Sequence, residues 1–180
     1  GDDEGKPMKV EYINPFILST SNVFETMVGI TPEVGRPSLK TSPDQGKSYI
    51  SGVIGLSGEV TGNVVLSFPM VIALKVVSAV LGMETKIIDD TVTDAIGELT
   101  NIIAGRAKEG MKGLKVSISI PSVIVGNDHS VRRPTDIPCV AIPFSTEWGD
   151  FTVDVSMKET ASQSSLLDGS GANKATGGAA

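Results

Sequence analysis

The 180-residue sequence has little of the chemistry on which many hydrolytic and metal sites depend. It contains one cysteine, Cys139, and one histidine, His129. A single cysteine excludes a disulfide within the chain and any zinc site built from several thiolates. Cys139 lies in the apolar run DIPCVAIPF, which predicts a buried free thiol. A Cys-His dyad would require the two residues to meet, and no surrounding motif supports that arrangement.

Long apolar runs and an excess of basic residues are also lacking. The longest apolar candidate, Met70–Met83, is interrupted by Lys75 and is shorter than the roughly 20 residues that span a bilayer. The net charge is −6, which argues against nucleic-acid binding through clustered Lys and Arg. The start GDDEGKP is acidic and does not resemble a signal peptide. We therefore expect a cytoplasmic protein without membrane insertion.

The composition is that of one folded domain with polar ends. Hydrophobic residues make up 40% of the chain and aromatic residues only 4%, so the core must be mainly aliphatic. Residues 1–7 are polar and acidic and suggest a leader or tag. Residues 159–180 are rich in Ser, Gly and Ala and suggest a flexible tail or tag. The foldable domain is predicted to span residues 8–158.

The first half of the domain reads as a helix, two strands and a helix. For the first helix, INPFILSTSNVFETMVG, we expect Asn14 as the N-cap, Pro15 at the first position and Gly29 as the stop. Two β-rich stretches follow, SYISGVIGLSG and EVTGNVVLSFP, with a hairpin turn at Ser57-Gly58. The segment Met70–Met83 has apolar residues at helical spacing after Pro69.

The second half reads as a helix followed by three strands. A long helix is predicted from about Asp90 to Gly113, capped by Asp89 or Asp90. Strands are predicted in KVSISIPSVIVG, TDIPCVAIPF and WGDFTVDVSM, with a turn at Glu147–Asp150. The last strand alternates Phe151, Val153 and Val155 with Thr152, Asp154 and Ser156. The order predicts an α+β fold, an antiparallel sheet with helices packed on one face.

The long helix carries an unusual polar stripe in TDAIGELTNIIAGRA. With about 100° per residue, Asp94, Glu98 and Asn101 fall within roughly 60° of one another, opposite the apolar positions. An ordinary solvent-facing helix would also show such a stripe. It would not explain Gly97 and Gly105, because glycine costs roughly 1 kcal/mol inside a helix. These glycines could instead remove bulk where a partner surface comes close.

The stripe resembles the signature helix of the CheC/CheX/FliY phosphatases of bacterial chemotaxis. That signature is Asp or Ser, three residues, Glu, two residues, Asn and a later Pro, matched here by Asp94, Glu98, Asn101 and Pro121. The stretches INPFILSTSNVFETMVGI, GVIGLSGEVTGNVVLSFP and IALKVVSAVLGM are similar to the CheX type of this family. The resemblance covers about residues 8–158 and implies a CheC-like fold.

The resemblance implies a hydrolase that acts on the aspartyl-phosphate of CheY-like response regulators. Asn101 would orient the attacking water, and Glu98 would pair with the regulator's active-site lysine. Gly97, Gly105 and Pro121 would lie at the partner-binding surface, and Asp94 is either a helper at its rim or a solubilising acid. No cofactor of its own is implied, since the regulator supplies Mg²⁺.

The resemblance also bears on the number of sites and the oligomeric state. Some family members carry a second Glu-x-x-Asn pair on the first helix, where this chain has Ser19-Thr20-Ser21-Asn22. The missing carboxylate predicts one working site per chain, with Asn22 serving packing or a local hydrogen bond. CheX-type proteins imply a homodimer, for which exposed sheet edges offer a route.

Two other functions remain open from the sequence. One is a non-catalytic, receiver-binding adaptor or motor-switch module of the same fold. The presence of both Glu98 and Asn101 argues against this function. The other is an unrelated α+β domain with a small-ligand pocket. GVIGLSG contains glycines but lacks the Lys-Ser/Thr of a phosphate-binding loop, so the sequence does not support that alternative.

Overall fold

The structure is a computed structural model that describes residues 10–41, 48–127 and 136–160. In these ranges the elements, in chain order, are α1 (Val10–Val23) with a π-helical turn (Phe24–Val28), β1 (Glu33–Val34), β2 (Ser38–Leu39), β3 (Ile50–Gly58), β4 (Val60–Phe68), α2 (Met70–Leu81), α3 (Asp90–Glu109), β5 (Val116–Ile118), β6 (Ser122–Val125), β7 (Cys139–Thr146) and β8 (Gly149–Glu159). No helix in these ranges is long and apolar enough to cross a membrane.

The strands form one antiparallel sheet in the order β1-β7-β8-β4-β3-β5, in which β2 also pairs with β7 and β6 with β3. The helices contact the same sheet face. Gly52 of β3 lies under Thr100 of α3, and Gly149 of β8 lies against Ile72 of α2. Phe151, on the same face of β8 as Gly149, stacks on Phe24 of the π-helical turn. The predicted α+β fold with helices on one face is confirmed.

Four of the five phenylalanines lie together between the sheet and the π-helical turn. Phe151 stacks on Phe24 with ring centroids 4.5 Å apart and on Phe144 at 5.1 Å, while Phe68 is tilted against it at 5.2 Å. All four rings are fully buried. Phe16 of α1 is also fully buried, and the rest of the core is mainly aliphatic, as the composition predicted. These few rings supply much of its bulk.

The first helix begins earlier than predicted. Asn14 and Pro15 lie inside α1, which is already helical at Val10, so their predicted roles as N-cap and first helical residue are wrong. Pro15 lies in the second turn, where its ring has a φ suited to a helix but its missing N–H removes one intrahelical hydrogen bond and its ring crowds the preceding turn. The predicted stop is confirmed: Gly29 has φ 85° and donates its N–H to the carbonyl of Phe24 at 2.8 Å.

The helix with the polar stripe begins as predicted and ends earlier. Asp89 caps it, its carboxylate accepting from the Val92 N–H at 3.1 Å. The helix ends at Glu109 instead of Gly113, and turns follow up to Gly113, which has φ 85°. Gly110 packs closely against Pro15 of α1. A Cβ at Gly110 would lie 3.1 Å from the Cβ of Pro15.

One prediction about strands needs correction, since KVSISIPSVIVG forms two strands, β5 and β6, instead of one. The alternation predicted for β8 is present, but Asp154 and Ser156 of its polar set are buried, and Asp154 forms an ion pair with Lys40, which follows β2. The short strands β1 and β2 were not predicted. The hairpin turns at Ser57-Gly58 and at Glu147–Asp150 are confirmed.

The folded domain extends past the predicted boundary at residue 158. Glu159 is the last residue of β8, and the Thr160 N–H donates to the carbonyl of Glu59 at 2.9 Å. The predicted leader at residues 1–7 and the remainder of the predicted tail, residues 161–180, lie outside the described residues.

Candidate functional site

The polar stripe lies on the outer side of α3. The apolar residues of the opposite side, Val92, Ile96, Leu99 and Ile103, are all buried. Asp94 and Glu98 are exposed and Asn101 is half-buried. The structure therefore places the three predicted residues on one accessible helix surface, with Glu98 and Asn101 one turn apart.

The close fit of α3 on the sheet fixes the orientation of the stripe. A Cβ at Gly52 of β3 would come within 2.0 Å of the Thr100 hydroxyl, so only glycine allows this approach. Thr100 is buried and donates its hydroxyl to the carbonyl of Ile96 at 2.7 Å. Because the residue beside Asn101 is held in this way, the stripe cannot rotate toward the core.

Glu98 and Asn101 are not engaged within the described part of the chain. The ranges that the structure describes contain no hydrogen-bond or ion-pair partner for the side chains of Asp94, Glu98 and Asn101. An exposed carboxylate and an amide without internal partners can bind groups of another molecule without first breaking an intramolecular bond.

Asn101 lies at the edge of a shallow depression on the protein surface. Its lining consists of Asn101, Ile102, Gly105, Arg106, Lys108, Glu109 and Ile118. The lining thus combines two apolar side chains, Ile102 and Ile118, with charged ones. Gly105 is half-exposed, and a Cβ there would meet only the Cδ1 of Ile118 at 4.0 Å. Sequence reasoning missed Ile118, because its approach to α3 depends on the pairing of β5.

The second glycine, Gly97, packs against strand residues of its own chain. It is buried, and a Cβ there would lie 3.4 Å from Val123 and 3.6 Å from Pro121 of the same chain. The interpretation of Gly97 as clearance for another protein is therefore replaced by close packing of α3 on the strand beside it. The same contact places Pro121 beside α3, and its proposed part in partner binding stays a prediction.

Asn22 connects the first helix to the end of the stripe helix. Its side-chain oxygen accepts a hydrogen bond from Arg106 of α3, and its carbonyl accepts from the Thr26 hydroxyl at 2.8 Å. Ser19 and Thr20 before it are buried. The side chain of Asn22 thus forms a long-range hydrogen bond between two helices instead of the local one that was predicted.

Other candidate chemistry is limited in the described ranges. These residues contain no cluster of three or more His, Cys, Asp or Glu side chains that could hold a metal ion. Cys139 is buried and free, as predicted. His129 lies outside the described residues, so the Cys-His dyad is not tested by the structure.

The fold and the site define an α+β domain that presents a Glu-x-x-Asn helix on its surface. The family model described as chemotaxis phosphatase CheX matches residues 50–145. A curated relative, the CheY-P phosphatase CheX of Thermotoga maritima, is 34% identical over 155 residues, which cover 84% of this chain and 98% of the relative. The chain thus belongs to the CheX family of chemotaxis phosphatases, and it is a phosphatase.

Solved structures agree with this assignment. The chemotaxis protein CheX of Desulfovibrio desulfuricans superposes with a TM-score of 0.77 at 36% identity, covering 83% of this chain and 100% of that one. CheX from the CheX-CheY-BeF₃-Mg²⁺ complex of Borrelia burgdorferi gives a TM-score of 0.72 at 28% identity, covering 84% and 100%. A CheC-like superfamily protein from Shewanella gives 0.78 at 32% identity, covering 84% and 99%, and the predicted CheC-like fold is confirmed.

Proposed function

We propose that this phosphatase hydrolyses the aspartyl-phosphate of a CheY-like response regulator. The proposal rests mainly on the positions of Glu98 and Asn101, which lie one turn apart on the accessible side of α3. Neither side chain has a hydrogen-bond or ion-pair partner in the described ranges. The curated relative is a CheY-P phosphatase, and a related CheX forms a complex with CheY. Chemotaxis signalling through a two-component regulator is the corresponding role, and it implies a cytoplasmic location.

Asn101 is proposed to position the attacking water. In the reaction, the water oxygen forms a bond to phosphorus while the bond from phosphorus to the aspartyl oxygen breaks. The products are inorganic phosphate and the free aspartate carboxylate. The acyl phosphate is already activated. Orienting the water in line with the bond that breaks therefore lowers much of the remaining barrier to hydrolysis. The Asn101 amide oxygen can accept one water hydrogen and fix that orientation.

Glu98 is proposed to pair with the lysine of the regulator's active site. A charge-assisted hydrogen bond to an ammonium group fixes the register of two surfaces better than a neutral contact does. Because Glu98 is one turn before Asn101, this pairing would direct Asn101 to the phosphoryl group. Asp94, a further turn toward the helix start, would act either at the rim of the same contact or as a solubilising acid. The Mg²⁺ of the reaction would belong to the regulator.

The experiment compares phosphate release from a phosphorylated CheY receiver by the wild type, Asn101→Ala and Glu98→Ala. Asn101→Ala should lose activity by about 100-fold or more, since a positioned group in the transition state is removed. Glu98→Ala should mainly weaken binding. Asn14→Ala and Glu84→Ala, which alter exposed residues elsewhere, serve as matched controls and should behave as wild type.

The alternative of a non-catalytic receiver-binding module makes the opposite prediction. The receiver would bind in its phosphorylated form and keep its phosphate in the presence of wild-type protein. Unchanged phosphate release by Asn101→Ala would remove that residue from the mechanism.

We further propose a homodimer formed through a sheet edge. Among the described residues, β6 pairs only with β3, so its other edge is available to a second chain. Ile124 and Val125 on this edge are exposed apolar residues. The opposite edge is formed by β1 and β2, which have two residues each and offer little backbone for pairing.

A further inference from the structure

The edge beside the stripe helix contains a β-bulge. β5 pairs with β3 so that Ile118 lies opposite Leu56, and β6 pairs with the same strand so that Ser122 lies opposite Val53. Three residues, 119–121, therefore lie opposite two residues of β3, 54 and 55. One extra residue shifts the alternation of side chains between the two sheet faces.

The bulge lies next to the turn of α3 that carries the catalytic pair. On one side of the bulge, Ile118 approaches the position of Gly105, and on the other side Pro121 packs beside Gly97. The segment thus runs antiparallel to α3. Ser119 and Ile120, between these two contacts, pass alongside the stretch that contains Glu98 and Asn101.

The backbone of the bulge is held by hydrogen bonds. The Ser119 N–H donates to the carbonyl of Gly55 at 2.9 Å, and the Ser119 hydroxyl accepts from the Gly55 N–H at 2.8 Å. The same hydroxyl donates to the carbonyl of Ile120 at 2.9 Å. Pro121 restricts the chain on the other side. Ile120 is therefore presented from a fixed backbone.

Ile120 is the most exposed large apolar residue in the described ranges, with 86% of its surface accessible. A single exposed isoleucine does not by itself indicate a binding site, because isolated apolar residues are common on protein surfaces. Here the bulge that exposes it is braced, and the residue flanks the stripe that the proposed function assigns to the receiver. Bulges beside active sites commonly redirect a side chain in this way.

We propose that Ile120 is an apolar anchor that positions the receiver domain on α3. Its side chain would pack into an apolar depression beside the phosphorylation pocket of the receiver, while Glu98 and Asn101 enter that pocket. This inference rests on the proposed function and adds a residue outside the signature helix. The contact exists equally in the bound ground state and in the transition state, so it contributes affinity without changing the chemical step.

The test is a steady-state comparison of wild type, Ile120→Ala and Ile120→Leu with a phosphorylated CheY receiver. Ile120→Ala should raise KM by about tenfold and leave kcat unchanged, because apolar contact area is lost on binding. Ile120→Leu keeps the apolar volume and should restore KM to within about twofold of wild type. The control Leu39→Ala removes a 58% exposed residue from the opposite sheet edge and should leave KM unchanged.

A second measurement separates this inference from the proposed function. In the Asn101→Ala background, which should bind without hydrolysis, the added Ile120→Ala change should weaken receiver binding by the same factor of about ten. An Ile120→Ala protein with wild-type KM would overturn the inference, even if Asn101→Ala abolishes hydrolysis. A change in homodimer dissociation with no change in KM would also overturn it, because Ile120 would then contact a second copy of this chain.

Discussion

Gly105 is the residue for which stability and function should oppose each other. A Cβ at this position would meet only Ile118 at 4.0 Å, so Gly105→Ala introduces no clash within the chain. Alanine favours the helix by about 0.8–1 kcal/mol relative to glycine, and the variant should be more stable by up to that amount. If the receiver domain binds at the depression that Gly105 lines, the added methyl group should lower kcat/KM.

The measurement combines urea unfolding of Gly105→Ala with its rate of receiver dephosphorylation. Lys112→Ala, which alters an exposed residue beyond the end of α3, provides the activity control. A more stable Gly105→Ala protein with wild-type kcat/KM would show that no close approach occurs at this position, and the stripe would then contact the receiver only through its other residues.

At the scale of single elements, the periodicity of α3 was enough to predict the outward side of the stripe. The apolar residues of this helix repeat at helical spacing, and burial of one side leaves Glu98 and Asn101 outside. The role of Gly97 could not be predicted, because its neighbours Pro121 and Val123 are distant in sequence. The bulge at Ile120 depends on how both β5 and β6 pair with β3, and periodicity does not contain that register.

The polar positions of β8 show a second limit of sequence patterns. The alternation separates Phe151 and Val153 from the polar set, but it does not reveal that Asp154 of that polar set is buried as well. Lys40, just after a two-residue strand too short to be recognised, forms an ion pair with this carboxylate. Buried charges need such partners, and the partner here comes from more than a hundred residues away in sequence.

The contact between α1 and β8 predicts that the free energy of unfolding decreases at alkaline pH. The Tyr12 hydroxyl donates to the carboxylate of Glu159, and this hydrogen bond, followed by burial and the nearby negative charge, raises the pKa of Tyr12 to about 12. The protonated hydroxyl is favoured in the folded state. Its contribution to stability is therefore full below about pH 10, the ordinary pKa, and is lost as the pH rises toward 12.

Absorbance titration of the phenol groups checks this prediction. The chain has two tyrosines, and Tyr12→Phe should remove the ionisation near pH 12 from the wild-type curve. The free energy of unfolding of the wild type should decrease between about pH 10 and pH 12, and the decrease should be smaller in Tyr12→Phe. Identical pH profiles for the two proteins would show that the hydrogen bond to Glu159 does not persist in solution.

At the scale of the whole molecule, the open edge at β6 predicts the homodimer. Lysine on an edge strand opposes pairing with another strand, since its charge would have to be desolvated or neutralised. Ile124→Lys should therefore shift the sedimentation profile from dimer to monomer. Val34→Lys places the same charge on the opposite edge and should leave the profile unchanged. A wild-type protein that sediments as a monomer at all accessible concentrations would contradict the dimer.

The architecture as a whole explains how a chain with one cysteine and one histidine can catalyse hydrolysis. A rigid sheet holds α3 in place through the Gly52–Thr100 contact, and α3 presents an amide and a carboxylate to the outside. In the proposed function, the regulator contributes the activated phosphoryl group, the lysine and the Mg²⁺. The phosphatase contributes the placement of the water and of the regulator's lysine, and a helix packed on a sheet holds the side chains needed for this in fixed positions.

The role of Asn101 is decided by the single-turnover rate of phosphate loss with Asn101→Ala in excess over a phosphorylated CheY receiver, measured together with the affinity of the variant for that receiver. We expect affinity within a few-fold of wild type and a rate lowered by about 100-fold or more, since Asn101 is assigned to the water and not to binding. A wild-type rate at saturation would show that Asn101 does not position the attacking water.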